Sequence, residues 1–211
     1  MKISILLLFI FLFAKTCNSQ QLLNNQINEI TDPLAIVQKD NFETGKSKWE
    51  IAYGTWQIRQ DGTDMLLSHT SDEDYGVALF KTNAFKDVDV TINFRPISGE
   101  NDQSGGIIFR AKDKDNYYLV RANALEGNLR FYKTIDGNRQ TLQSASINKP
   151  TKNQWNSLRI IMKGDHIQAF LNGKMFLDEH DSSLTNGYVG LWTKADSETD
   201  FKGFSVKGVK N

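Results

Sequence analysis

The 211-residue chain is poor in several things at once. It has one cysteine, Cys17, which excludes a disulfide framework and any multi-cysteine metal site. Three prolines stand beside 15 glycines and 39% apolar residues, a globular composition rather than a fibrous or disordered one. Net charge is absent too: 25 Lys and Arg balance 25 Asp and Glu. No overall basic field therefore draws the chain to nucleic acid or to anionic lipid. The three histidines, His69, His166 and His180, have no His-x-x-x-His spacing, which argues against zinc. No glycine-rich loop opens a helix, so nucleotide binding has no support. No long amphipathic helix with caps is visible either.

One hydrophobic run exists, over residues 3–14, broken only by Ser4 and preceded by Lys2. A bilayer span needs about 20 apolar residues, so this run reads as the core of a secretory signal. Cys17 and Ser19 sit at −3 and −1 of a cleavage before Gln20. Residues 1–19 are thus expected to leave as a signal peptide, taking Lys2 and Lys15 with them. The mature chain then has 23 basic and 25 acidic groups. Cys17 has a second reading as a lipidated residue, but Lys15 and Thr16 before it fit a lipoprotein pattern poorly. Secretion is expected on either reading, and membrane attachment only if Cys17 is lipidated. Residues 20–38 begin with a Gln/Asn tract and are expected to form a polar arm.

The rest, residues 39–211, reads as strand after strand in one domain. Val88, Val90, Ile92 and Phe94 alternate with Asp89, Thr91, Asn93 and Arg95, the period of a half-buried strand. Segments 106–111, 117–122, 129–134, 158–163, 167–171, 188–193 and 204–209 have strand composition. Asp136-Gly137, Asn172-Gly173 and Asn186-Gly187 supply turn residues that tolerate positive φ, as do Asp61-Gly62 and Gly164-Asp165. Strands recurring every 8–15 residues predict an all-β antiparallel sandwich.

Several segments carry a resemblance. Asp40-Asn41-Phe42 precedes Trp49 and Gly54-Thr55-Trp56. Then come Gly105-Gly106-Ile107-Ile108-Phe109-Arg110-Ala111 and Asp115-Asn116-Tyr117-Tyr118-Leu119-Val120-Arg121. Trp155-Asn156-Ser157-Leu158-Arg159 follows, and Gly187-Tyr188-Val189-Gly190-Leu191-Trp192 and Phe204-Ser205-Val206 close the series. This order resembles the concanavalin A-like lectin/glucanase superfamily. Within it the chain is similar to LamG-like jelly rolls, levan-type carbohydrate-binding modules and 3-keto-disaccharide hydrolase-type domains. The resemblance implies a jelly roll of two curved antiparallel sheets, with ligand on the concave face.

Alternation assigns side chains to faces. Ile107, Phe109, Tyr118, Val120, Ala122, Leu129, Phe131, Val189 and Leu191 are expected in the core. Arg110, Tyr117, Arg121, Asn123, Arg130, Tyr132 and Trp192 are then expected on the outward face. Aromatic planes pack on sugar C–H faces, with Trp192 the expected platform, and Arg and Asn serve vicinal hydroxyls. Three arginines on one face also allow an anionic sugar. The competing reading is a charged outer face with each Arg paired. Trp49, Trp56 and Trp155 read as core or edge anchors.

Catalytic chemistry has less support. The glucanase branch implies a Glu-x-Asp-x-x-Glu strand whose carboxylates act as nucleophile and acid/base, and the chain has none. Asp72-Glu73-Asp74 and Asp178-Glu179-His180-Asp181 read as solvated loops, and His166 as a surface strand residue. The resemblance further implies a structural calcium near the termini, for which Asp40, Glu43 and Asp200 match loosely. The expected function is a secreted, monomeric module that binds an oligo- or polysaccharide without cleaving it. Two alternatives stay open: a glycoside or 3-keto-glycoside hydrolase, and a LamG-like protein-interaction module.

Overall fold

The computed structural model describes residues 27–70 and 74–211. The signal segment with Cys17, residues 20–26, and Asp72 and Glu73 lie outside them. Every helix or strand element among the described residues is a β-strand. The longest, β5 (Tyr75–Ser98), has 24 residues and serves two layers. Its first half pairs with β2 (Trp49–Tyr53) and β13 (Gly187–Lys194). Its second half pairs with β10 (Asn156–Lys163) and β14 (Glu198–Lys210). Val189 pairs with Phe80 while Gly187 pairs with Phe85. Residues 81–84 are therefore surplus to the ladder, and the strand turns its corner there, as strands do when they switch sheets.

Layer one runs β2-β5-β13, then β6 (Ser104–Ala111), β7 (Tyr117–Asn123), β8 (Asn128–Ile135) and β9 (Asn138–Ser146). Layer two runs β12 (Lys174–His180), β11 (His166–Leu171), β10, β5 and β14. Along β14 lie β1 (Ile36–Asp40) and β4 (Asp64–His69), and β4 pairs in turn with β3 (Trp56–Asp61). All of these pairings are antiparallel, giving the expected jelly-roll sandwich.

The core fills the space between the layers. All nine side chains assigned inward lie in it, with Val90, Ile92, Leu158, Ile160 and Val206 from the other layer. Two hairpins turn on the expected dipeptides. Asp136 and Gly137 have φ of 50° and 77°, and Asn172 and Gly173 have 49° and 78°. Positive φ at both central residues is the type I′ requirement.

Two stretches differ from their sequence reading. The described part of the arm packs on the outer face of layer two. Ile30 is buried with Ile161, Phe170 and Val209, and Ile27 is partly buried beside them. The Asn28 N–H donates to Gln168 Oε1 at 2.8 Å, and β1 starts at Ile36, pairing with Gly208. Two isoleucines supply the apolar contact that the polar composition concealed. The acidic run 178–181 is likewise not a loop. Asp178 to His180 end β12, where Asp178 accepts from Gln168 Nε2 at 3.0 Å and lies 2.5 Å from His166 Nε2. Asp181 accepts from the Tyr118 hydroxyl at 2.5 Å and Lys133 Nζ at 2.9 Å, fixing the loop before β13.

Gly190 lies where β5, β13 and β6 are hydrogen-bonded side by side. A Cβ there would run into the Ala78 carbonyl oxygen and crowd Ile108. Gly190→Ala is expected to cost about 1–3 kcal/mol by overpacking. It should appear as a lower urea midpoint with an unchanged slope.

Candidate functional site

The face of layer one turned away from the core carries its own apolar cluster. Val77, Leu79, Ile108, Leu119, Tyr117, Tyr132 and Trp192 form it, flanked by Tyr53 and Tyr75. Strand register sets the rows. Trp192 stands opposite Gly106, then Arg121, then Arg130. Ile108 faces Leu119, and Leu119 faces Tyr132. Tyr117 faces Thr134, which faces Arg139. Tyr117, Arg121, Asn123, Arg130, Tyr132 and Trp192 thus share one face.

Arg110 does not. Tyr188 pairs with Ala111 and Gly190 with Ile108, so three steps along β6 match two along β13. This bulge puts Arg110 at φ 49°, and the alternation slips by one. Ala111, not Arg110, joins Ile108 on the open face. The buried Arg110 guanidinium donates to the carbonyls of Lys86 (2.6 and 2.9 Å), Gly164 (2.6 Å) and Leu184 (2.7 Å). It ties the corner of β5 to the β10–β11 turn and to the loop before β13, which is a structural role.

Accessibility corrects a second expectation. Trp192 is 1% exposed and Arg121 2%, while Tyr117 and Tyr132 are each 4% and Asn123 0%. These residues are the floor of the site, and Trp192 offers no open plane for a sugar. Above it, the Arg139 guanidinium lies 5.6 Å from the Trp192 ring centre and 5.0 Å from that of Tyr132.

One half of the face is a polar network centred on Glu126, in which Arg121 Nε and Asn123 Nδ2 stay buried without a partner. Glu126 Oε2 accepts from Arg121 Nη2 at 2.9 Å and Asn128 Nδ2 at 2.8 Å, with Arg130 Nη1 at 3.3 Å. Arg121 also donates to Asn128 Oδ1 and to the Tyr132 hydroxyl. Partial burial works against the Glu126 charge. Hydrogen bonds from Asn128 and Arg121, with the charges of Arg121 and Arg130, outweigh it and hold the carboxyl at about 2. Asn123 is occupied in the β7–β8 turn, where its Oδ1 accepts from the Leu125 and Glu126 N–H groups.

The other half is a cavity of about 340 Å³, within the roughly 300–1,000 Å³ of small-ligand sites. Asp74, Tyr75, Lys114, Asp115, Tyr117, Thr134, Arg139, Trp192 and Lys194 line it. Trp192 Nε1 and Thr134 Oγ1 are buried there without a hydrogen-bond partner. Both neighbour the Tyr117 hydroxyl closely enough to favour its charged form, though neither makes a bond of full geometry. Burial pushes the Tyr117 phenol up, so it stays protonated and available as a donor.

Sequence reasoning missed Glu126, Tyr75 and Arg139. Arg139 was within reach. The two-residue Asp136-Gly137 turn pairs Ile135 with Asn138 and Thr134 with Arg139, which places Arg139 on the face of Tyr132. Of the anchors, Trp49 and Trp56 are buried. Trp155 is half-buried, with Arg95 at 4.5 Å and Lys202 at 4.4 Å from its ring centre.

The residues expected to hold calcium do not fit it. Asp40 accepts from the Phe42 N–H and Trp49 Nε1, both at 2.9 Å. Asp200 accepts from Ser68 Oγ at 2.5 Å and Arg95 Nη2 at 2.7 Å, and Glu43 from Asn41 Nδ2 at 2.6 Å. These carboxylates serve protein donors instead of converging. Among the described residues no group of three or more His, Cys, Asp or Glu could hold a metal ion.

The architecture and the open face define a concanavalin A-like jelly roll of the kind found in carbohydrate-binding modules and galectin-like proteins. The chain superposes on the carbohydrate-binding module CBM66 from Bacillus subtilis with a TM-score of 0.67 and 22% identity, over 76% of this chain and 95% of that one. A Bacillus subtilis protein with a galectin-like fold gives 0.64 at 16% identity, over 82% and 96%. In sequence, the levanase of Bacillus subtilis (strain 168) is 27% identical over 159 residues, 71% of this chain. The match spans only 21% of the levanase's length. The chain belongs to the 3-keto-alpha-glucoside-1,2-lyase-like domain family, whose model matches residues 39–207.

Two outcomes follow from this geometry. Arg110→Met, which leaves the carbonyls of Lys86, Gly164 and Leu184 without their charged donor, is expected to lose roughly 3 kcal/mol in urea unfolding. For Glu126 the folded pKa lies below the ordinary value of 4.5. Its contribution to stability is therefore complete above about pH 4.5 and is lost as pH falls toward 2. Acid titration of the melting temperature should show a shallower loss in Glu126→Gln than in the wild type across that window.

Proposed function

We propose that the domain is a secreted glycan-binding module that holds its ligand on the open face of layer one without cleaving it. The observation that carries this reading is the cavity over Trp192 and Tyr117, beside the polar network around Glu126. A rigid floor with a few donors aimed into a hollow is what a small-ligand site needs. Membership in a sugar-processing domain family and the levanase relative point to a glycan as the ligand.

Hydrolysis by the two-carboxylate route needs one carboxyl able to donate a proton. Glu126, held ionised at about 2, cannot donate at neutral pH. Asp115 on the rim takes the Lys114 ammonium at 2.6 Å. His180 sits at the end of β12, ring-stacked on His166 in layer two. The family match favours a second reading, a glycosidase-type or lyase-type domain acting on a modified glucoside.

Affinity electrophoresis against fructans, β-glucans and uronic-acid polymers, with chromatography of the incubated ligands, separates the two readings. Retardation without new products is expected. Tyr75→Ala, on the cavity wall, should weaken it about tenfold, the worth of one good aromatic contact. Steady release of product by the wild type would overturn the non-cleaving reading.

A further inference from the structure

We propose that the cavity selects a glycan bearing a carboxylate, a uronic-acid residue in an otherwise neutral chain, with Arg139 as its receptor. The inference rests on the glycan-binding reading and adds the class of sugar.

It starts from a comparison of the cations around the open face. Arg121 and Arg130 share Glu126. Lys114 holds Asp115 at 2.6 Å, and Lys194 lies 3.7 Å from Asp102. Lys133 is taken by Asp181. Arg139 differs from all of these. Its contacts among the described residues are the two aromatic rings beneath it, and no protein acceptor meets its N–H groups. A guanidinium laid over aromatic planes keeps its edge free. That edge presents parallel N–H donors at the spacing of a carboxylate's oxygens.

The cavity below has the same bias. Indole Nε1 can only donate, and Trp192 Nε1 is buried there without an acceptor. Thr134 Oγ1, also buried and unpartnered, can turn its proton inward. With the Tyr117 hydroxyl, the wall offers one fixed donor and two adjustable ones beneath the exposed Arg139 fork. A neutral sugar brings hydroxyls that must also donate somewhere. A carboxylate brings acceptors only, and so matches a donor-rich wall without leaving a proton stranded. Asp74 and Asp115 on the rim disfavour a densely charged polyanion. The fit is therefore one carboxylate at a time.

The test uses a glucuronic-acid-bearing oligosaccharide and the same oligosaccharide with its carboxyl reduced to an alcohol. Both are titrated calorimetrically into the wild-type domain and Arg139→Gln. Arg139 is exposed, and a thermal melt of the variant confirms folding. The wild type is expected to bind the acid at least about tenfold more tightly than the reduced form, the worth of one charge-assisted hydrogen bond. Arg139→Gln should abolish that preference. Equal binding of the two forms by the wild type, or an acid preference retained in Arg139→Gln, overturns the inference. If neutral fructan or β-glucan is still bound in that case, the glycan-binding reading stands alone. If neither acidic nor neutral glycan binds, both readings fall.

Discussion

The structure depends on one strand being long enough to belong to both layers. Carrying the chain around a corner within β5 joins fourteen strands in one hydrogen-bonded system. A corner of this kind exposes carbonyls that no neighbouring strand can satisfy. Lys86 lies just past that corner, and Arg110 reaches its carbonyl from the bulge in β6. Bulge and corner thus depend on each other. The extra residue that breaks alternation in β6 also swings a cation to where the backbone of β5 needs one. Because β5 fixes the position of β13, it also fixes where Trp192 and Gly190 stand under the open face.

That face does two things with similar residue types. Around Glu126 the arginines, an asparagine and a tyrosine bond chiefly to one another. Around Trp192 the donors outnumber the acceptors. The division follows from the lengths of the β7–β8 and β8–β9 connections. The first places Glu126 within reach of Arg121 and Arg130. The second is a two-residue turn whose Asp136 makes no ion pair with Arg139 among the described residues, so the cation it introduces stays unspent.

Most of the fold was legible because alternation is a two-state signal and the strands are regular. Val88 to Phe94, and Leu129 with Phe131, assign themselves to the core by parity alone. Parity failed at Arg110, since a bulge of one residue reverses every later assignment in its strand and nothing in Ile108-Phe109-Arg110-Ala111 announces it. The membership of the open face was also legible for Tyr117, Arg121 and Tyr132. Their burial was not, because it depends on long side chains from other segments lying over them. The donors that the carboxylates expected at calcium serve were hidden for a related reason. Asp40 and Asp200 are taken by protein donors, an indole nine residues on and a guanidinium 105 residues away.

The last strands of the two layers, β9 and β12, meet through a side chain. Gln143 Nε2 donates to the Asp178 carbonyl at 3.2 Å, and its Oε1 accepts the Asp178 N–H at 2.9 Å. An amide side chain here imitates the peptide group of a strand that is not present. An unpaired strand edge is a template on which another copy of a chain can add itself, and so begin a fibre. One glutamine closes that template at Asp178 with chemistry indistinguishable from the backbone's own. At this seam the sandwich therefore offers a neighbouring copy no open backbone pair.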